Sequence, residues 1–97
     1  MELRDGELYA SLNPDTFEIP PLLKRLNLKA GDLVKLGFLL EPMPERMWVQ
    51  ITEVWSDGYV GRLRNQSVSD EMAFDELVTF EPRHVLDIVK PPLSAGP

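Results

Sequence analysis

Residues Glu45 to Asn65 read ERMWVQITEVWSDGYVGRLRN, and no other stretch limits the fold as tightly. Met47–Trp55 and Tyr59–Asn65 are rich in β-branched and aromatic residues, so two strands joined through Ser56-Asp57-Gly58 are expected. The loop length decides which side chains share a face, because a slip of one residue turns a whole strand over. A two-residue turn at Asp57-Gly58 would set Trp55 against Val60 and Ile51 against Arg64, mixing apolar and charged residues on both faces. A three-residue loop with Gly58 in the left-handed region sets Trp55 against Tyr59, Ile51 against Leu63 and Val49 against Asn65. That register gathers Met47, Val49, Ile51, Trp55, Tyr59 and Leu63 on one face, and Trp48, Gln50, Val60, Arg62 and Arg64 on the other. Because it segregates polarity, it is the expected one. In it Gly61 faces Glu53 and marks a bend.

The rest of the chain predicts short elements. Residues 1–13 form a polar segment in which Glu7–Leu12 would add an edge strand. Thr16–Ile19 is extended, since Ile19 precedes a proline. Pro20 and Pro21 open a short helix whose Leu22, Leu23 and Leu26 make an apolar stripe. Lys24, Arg25 and Lys29 lie near its end, where cations suit the helix dipole. Leu33–Leu40 follows as a strand with Val34, Leu36, Phe38 and Leu40 on one side. Gln66–Phe74 is a polar, acidic loop. Leu77–Phe80 is a strand, Glu81–His84 one helical turn, and Val85–Val89 the last strand. Residues 14–89 thus make one domain, and 90–97, KPPLSAGP, a flexible tail. The fold class is mainly β (α+β): a small bent antiparallel sheet or partly closed Src-homology-like β-barrel with one short N-terminal helix.

Composition narrows the function classes. Ninety-seven residues suffice for one modest core, and nine prolines favour short elements. With no cysteine there is no disulfide, thiolate zinc site or cysteine nucleophile. No apolar run reaches the length of a membrane span, and MELRDGELYA lacks the features of a signal peptide. The chain is therefore read as complete and cytoplasmic, with no membrane contact. A net charge of −6 argues against duplex nucleic acid and favours a protein partner with a basic surface.

The segments TFEIPPLLKR, LKAGDLVKLGF, ERMWVQITEV, YVGRLRN and LVTFEPRHVLDI resemble a bacterial family of domains of unknown function, the YegJ-like domains. The resemblance spans Thr16 to Ile88 and is most specific at Glu45–Val49 and Phe80–Ile88. It implies this fold and a cytoplasmic bacterial setting, and brings no catalytic residue. Relatives usually follow the Gly61–Asn65 segment with an acidic residue and proline. This chain has Gln66-Ser67 there, then a longer acidic insert running to Glu76.

Three groups of residues are candidate sites. Trp48 shares the polar hairpin face with Arg62 and Arg64, residue types that anchor protein interfaces. Arg64 lies diagonally across from the indole, within reach of a cation–π contact. The alternative is that the Leu22, Leu23 and Leu26 stripe covers Trp48 as a second small core. Asp70, Glu71, Asp75 and Glu76 form an acidic loop suited to docking on a basic protein. His84, the one histidine, is read as capping carbonyls of its turn. No motif marks a nucleophile it would serve. There is no phosphate-binding glycine loop and no calcium-loop pattern, so neither cofactor nor metal is expected. The leading expectation is a non-catalytic protein-binding module, in size and charge like an inhibitor or immunity protein of a basic partner. The alternative is a ligand-binding or enzymatic module holding an anion near Trp48, Arg62 and Arg64. Single-stranded nucleic acid on the aromatic-basic face is a third, disfavoured by net charge.

Overall fold

The structure, a computed structural model, describes residues 1–90. Of the expected flexible tail, 90–97, Lys90 is described and pairs with Asp32 at 2.7 Å, and 91–97 lie outside the described residues. Two helices, α1 (Gly6–Leu12) and α2 (Leu22–Leu26), precede β1 (Leu33–Phe38), β2 (Glu45–Trp55), β3 (Gly58–Leu63) and β4 (Leu77–Phe80). A single 3₁₀ turn (Pro82–His84) then leads into β5 (Asp87–Val89). The five strands form one antiparallel sheet in the order β4-β3-β2-β1-β5. The sheet is mainly β structure bent on itself but not closed, because β4 and β5 remain its two edges.

Alternation builds the core. Val34, Leu36 and Phe38 from β1 face inward with Met47, Val49 and Ile51 from β2 and Leu63 from β3, all buried. Val78 and Phe80 complete the strand contribution, and Tyr59 stacks at a tilt on Phe80 with ring centroids 5.3 Å apart. Four loop residues close the inner face: Leu28, Leu40, Met72 and Val85. Met72 comes from the acidic loop, so that loop is anchored in the core and is not only a solvated insert.

The hairpin register differs from both sequence alternatives. Trp55 pairs with Gly58 across a two-residue Ser56-Asp57 turn, and Val54 pairs with Tyr59. An irregularity between Ile51 and Glu53 then shifts the ladder, so that Ile51 faces Gly61 and Val49 faces Leu63. A bulge adds one residue to one strand and raises its twist. An unbroken ladder has no place for that extra residue. Polarity still sorts the inner half as expected, with Val49, Ile51 and Leu63 buried. The outer half twists away from the core and leaves Trp55 59% exposed. Gly58 is not left-handed. Its role is close approach, since a Cβ there would stand 2.6 Å from the Phe80 carbonyl oxygen. Gly61 is opposite Ile51 rather than Glu53, and a Cβ there would meet Val49 Cγ1 at 2.5 Å.

The N-terminal segment also departs from expectation. Glu7–Leu12 is helical, not an edge strand. Asp5 caps α1 by accepting from the Leu8 N–H at 3.1 Å. Residues 2–4 meet the end of β1 instead: Leu3 bridges Phe38, and the Arg4 N–H donates to the Gly37 carbonyl at 2.8 Å. The leucine stripe of α2 is inverted as well: Leu22, Leu23 and Leu26 are exposed, and Arg25 is the buried residue of that helix. The stripe therefore does not cover Trp48.

Candidate functional site: the outer face of the sheet and its groove

On the outer face, Lys35 is the cross-strand partner of both Trp48 and Asp87. Trp48 is half-buried, and the Lys35 ammonium lies 4.8 Å from its ring centroid. Lysine, not Arg64, makes the cation–π contact. The Trp48 carbonyl accepts from the Arg64 N–H at 2.9 Å, and the Trp48 N–H donates to the Asn65 side chain. Arg64 instead donates to Asp75 Oδ1 at 2.8 Å and to Gln50 Oε1 at 3.3 Å. Its guanidinium stands 6.0 Å from the Phe74 ring.

Asp75 adopts φ of 71°, a conformation aspartate tolerates better than most residues. The turn aims its carbonyl at Arg62, which donates to it at 3.1 Å, and its carboxylate at Arg64. The structure thus brings Arg62, Arg64 and Asp75 together, with Trp48 alongside, and an anionic ligand would have to compete with Asp75. The other acidic residues are spread along the loop. Glu71 accepts from the Glu41 N–H at 2.8 Å, and Glu76 accepts from the Ala73 N–H at 2.9 Å. Asp70 is exposed and has no hydrogen bond or ion pair among the described residues. Glu45 ties the loop to β2 by accepting from Ser67 Oγ and the Val68 N–H. Its pKa is held below the usual value first by the serine hydroxyl and then by that N–H.

Beside Lys35 lies an open groove of roughly 960 Å³. One wall is the segment from Thr16 to Pro21, with Leu23, Lys24 and Asn27 of the α2 region. The other is Lys35, Arg46 and the Leu86–Ile88 edge with Lys90. Prolines set the wall's shape: Pro20 disfavours helical backbone at Ile19, and Pro21, with φ −56° and ψ 150°, leads directly into α2. Phe17 fixes the wall at one end. Its ring packs edge-on against Tyr9 at 4.6 Å, and the Arg46 guanidinium lies 5.1 Å from it.

Arg25 fixes the other end. It is 5% exposed and donates to the Pro20 carbonyl at 2.7 Å, Glu7 Oε2 at 2.6 Å and the Pro82 carbonyl at 3.1 Å. The Tyr59 hydroxyl donates to the Arg25 carbonyl at 2.7 Å. One side chain thus links α1, α2 and the 3₁₀ turn.

His84 is buried in that turn. Its Nδ1 accepts from the Glu81 N–H at 3.0 Å, so it caps an N–H rather than a carbonyl. Burial first, and the Arg83 charge second, push its pKa below the usual histidine value, while Glu81 and Asp5 pull it up. Among the described residues no cluster of three His, Asp or Glu could hold a metal ion, and no helix is long and apolar enough to cross a membrane.

The sequence allows a groove between the short helix and the hairpin around Trp48, Arg62 and Arg64, whereas the observed lining takes Lys35, Arg46 and the Leu86–Ile88 edge and none of those three. The extended TFEIPP segment was the available signal for its wall. The floor depends on the β1–β2 register, which the Leu39–Pro44 loop leaves open. Compared with known proteins, the chain matches no family model, no curated protein and no solved structure.

Proposed function

We propose that the protein is a non-catalytic protein-binding module, and that a partner docks across the Trp48 face and into the adjoining groove. One observation carries this: an open groove walled by Phe17, Ile19, Pro20 and Leu23, with lysines and an arginine at its margins. Apolar anchors flanked by charged groups suit recognition of a protein segment. Among the described residues, His84 accepts from the Glu81 N–H and is hydrogen-bonded to no hydroxyl, so it is not paired with a nucleophile as a general base would be. Kinship with the YegJ-like domains belongs to the same proposal and adds no catalytic residue. A second surface is the acidic loop, where exposed Asp70 and Glu71 suit a basic partner of the inhibitor or immunity type.

Selection from a random peptide library, followed by amide chemical-shift mapping, tests the proposal. A selected binder should shift amides of residues 16–19, 22–24, 35, 46–48 and 86–90. Binders that shift only residues 66–76 would move the docking surface to the acidic loop. Failure to select any saturable binder would contradict the module reading.

A further inference from the structure

We infer that the groove's occupant is an extended, acidic segment of another protein, with apolar residues interleaved among its carboxylates. The inference rests on the groove being the docking site and adds the chemistry of what docks.

The charge of the lining runs against the charge of the chain. Four cations, Lys24, Lys35, Arg46 and Lys90, border the groove against two carboxylates, Glu18 and Asp87. The whole chain carries −6. Few of these cations are neutralised. Lys90 is held by buried Asp32 at 2.7 Å. Lys35 and Arg46 rest on the rings of Trp48 and Phe17, contacts that leave their charge and other N–H donors open to an incoming carboxylate. Lys24 is exposed and forms no ion pair among the described residues. The Asp87 carboxylate accepts from the Ile88 N–H at 2.8 Å and keeps its charge, so cations exceed carboxylates in the lining by two.

Between the cations the lining is apolar. Leu23 is 73% exposed, and Phe17, Ile19 and Ile88 are half-buried. Side chains of an extended segment alternate in direction. Carboxylates at one set of positions would meet the lysines and arginine, while apolar residues at the other would cover Leu23, Ile19 and Ile88. The groove is not an enclosed cavity, which suits a chain better than an enclosed small molecule.

The test uses three probes with the full chain. They are a peptide alternating glutamate with leucine or valine, its lysine-for-glutamate counterpart, and a single-stranded oligothymidylate. Amide shifts locate binding. The glutamate peptide should bind in the groove at least tenfold more tightly than the lysine peptide. Its affinity should fall several-fold between about 0.01 M and about 0.15 M salt, as the screening length drops from roughly 30 Å to roughly 8 Å. Lys24→Glu should weaken it about fivefold and Glu18→Lys strengthen it, both with unchanged melting temperature. Equal binding of both peptides in the groove would overturn the charge assignment while leaving the docking site standing. Tighter groove binding by oligothymidylate would overturn the partner class. Concentration-dependent groove shifts without a probe would make a second copy of the chain the occupant, overturning the inference. No groove shifts with any probe would remove both the inference and the docking site.

Discussion

Arg25 joins oxygens from three separate segments, and no apolar side chain could take its place. Removing it leaves the Pro20 and Pro82 carbonyls without their donor, whereas Glu7, half exposed, returns to water. Hydrogen bonds from charged donors contribute about 1.5–3 kcal/mol each, and exposed ion pairs much less. Arg25→Ala should therefore destabilise by about 3 kcal/mol in urea unfolding. Arg25→Lys should recover only part of this, because an ammonium lacks the fork that reaches both carbonyls. A cost below about 1 kcal/mol for the alanine variant would show that the hub is dispensable.

His84 predicts a pH response of definite sign. Its folded pKa lies below the ordinary 6.5, so the unfolded chain takes up the proton more readily. Stability from this residue is complete above about pH 6.5 and is lost as pH falls towards the folded value. Protonating Nδ1 also breaks the bond from the Glu81 N–H. Asp5 and Glu81 act at lower pH. Their pKa values are depressed from 3.8 and 4.5, chiefly by the Leu8 N–H and by Arg83 respectively. Their stabilisation is lost as pH falls through those depressed folded values. Melting temperature measured from pH 8 to 4 should start to fall near pH 6.5, and His84→Gln should remove that first fall. The sequence placed His84 in a turn correctly. It could not give the direction of the cap, which depends on side-chain rotamer rather than on spacing.

At the scale of elements, the hairpin was legible where one face is buried and illegible where neither is. Val49, Ile51 and Leu63 identify their face because a slip would expose all three. Trp55 and Val54 lie past the bulge, exposed, and nothing in their pattern reveals the extra residue. Gly58 gives a direct check on the observed register. A side chain there drives its Cβ against the Phe80 carbonyl, in backbone that cannot swing aside without breaking the β3–β4 ladder. Gly58→Ala should cost about 1–3 kcal/mol, a typical overpacking penalty. Unchanged stability would contradict the pairing of Tyr59 with Phe80. The α2 stripe misled for a different reason. A five-residue helix is oriented by whichever bonds hold it, and the Arg25 bonds turn its leucines outward.

For the whole molecule, net charge conceals an uneven distribution. A total of −6 suggested a basic partner, yet the groove gathers Lys24, Lys35, Arg46 and Lys90. These cations come from four separate regions of the chain, so only the folded sheet and the wall held by Phe17 and Arg25 bring them together. Composition could not show this. Trp48, Arg62 and Arg64 were legible as a group because the hairpin is local in sequence, whereas Asp75 was legible only as part of the acidic loop, and its contacts with the two arginines depend on the loop's fold. The central claim is that the groove is where a partner docks, and Leu23→Asp tests it most directly. Leu23 is 73% exposed, so the substitution should leave the melting temperature unchanged. The affinity of a peptide selected for binding should then fall at least tenfold in calorimetric titration. Undiminished affinity in the folded variant would contradict the account.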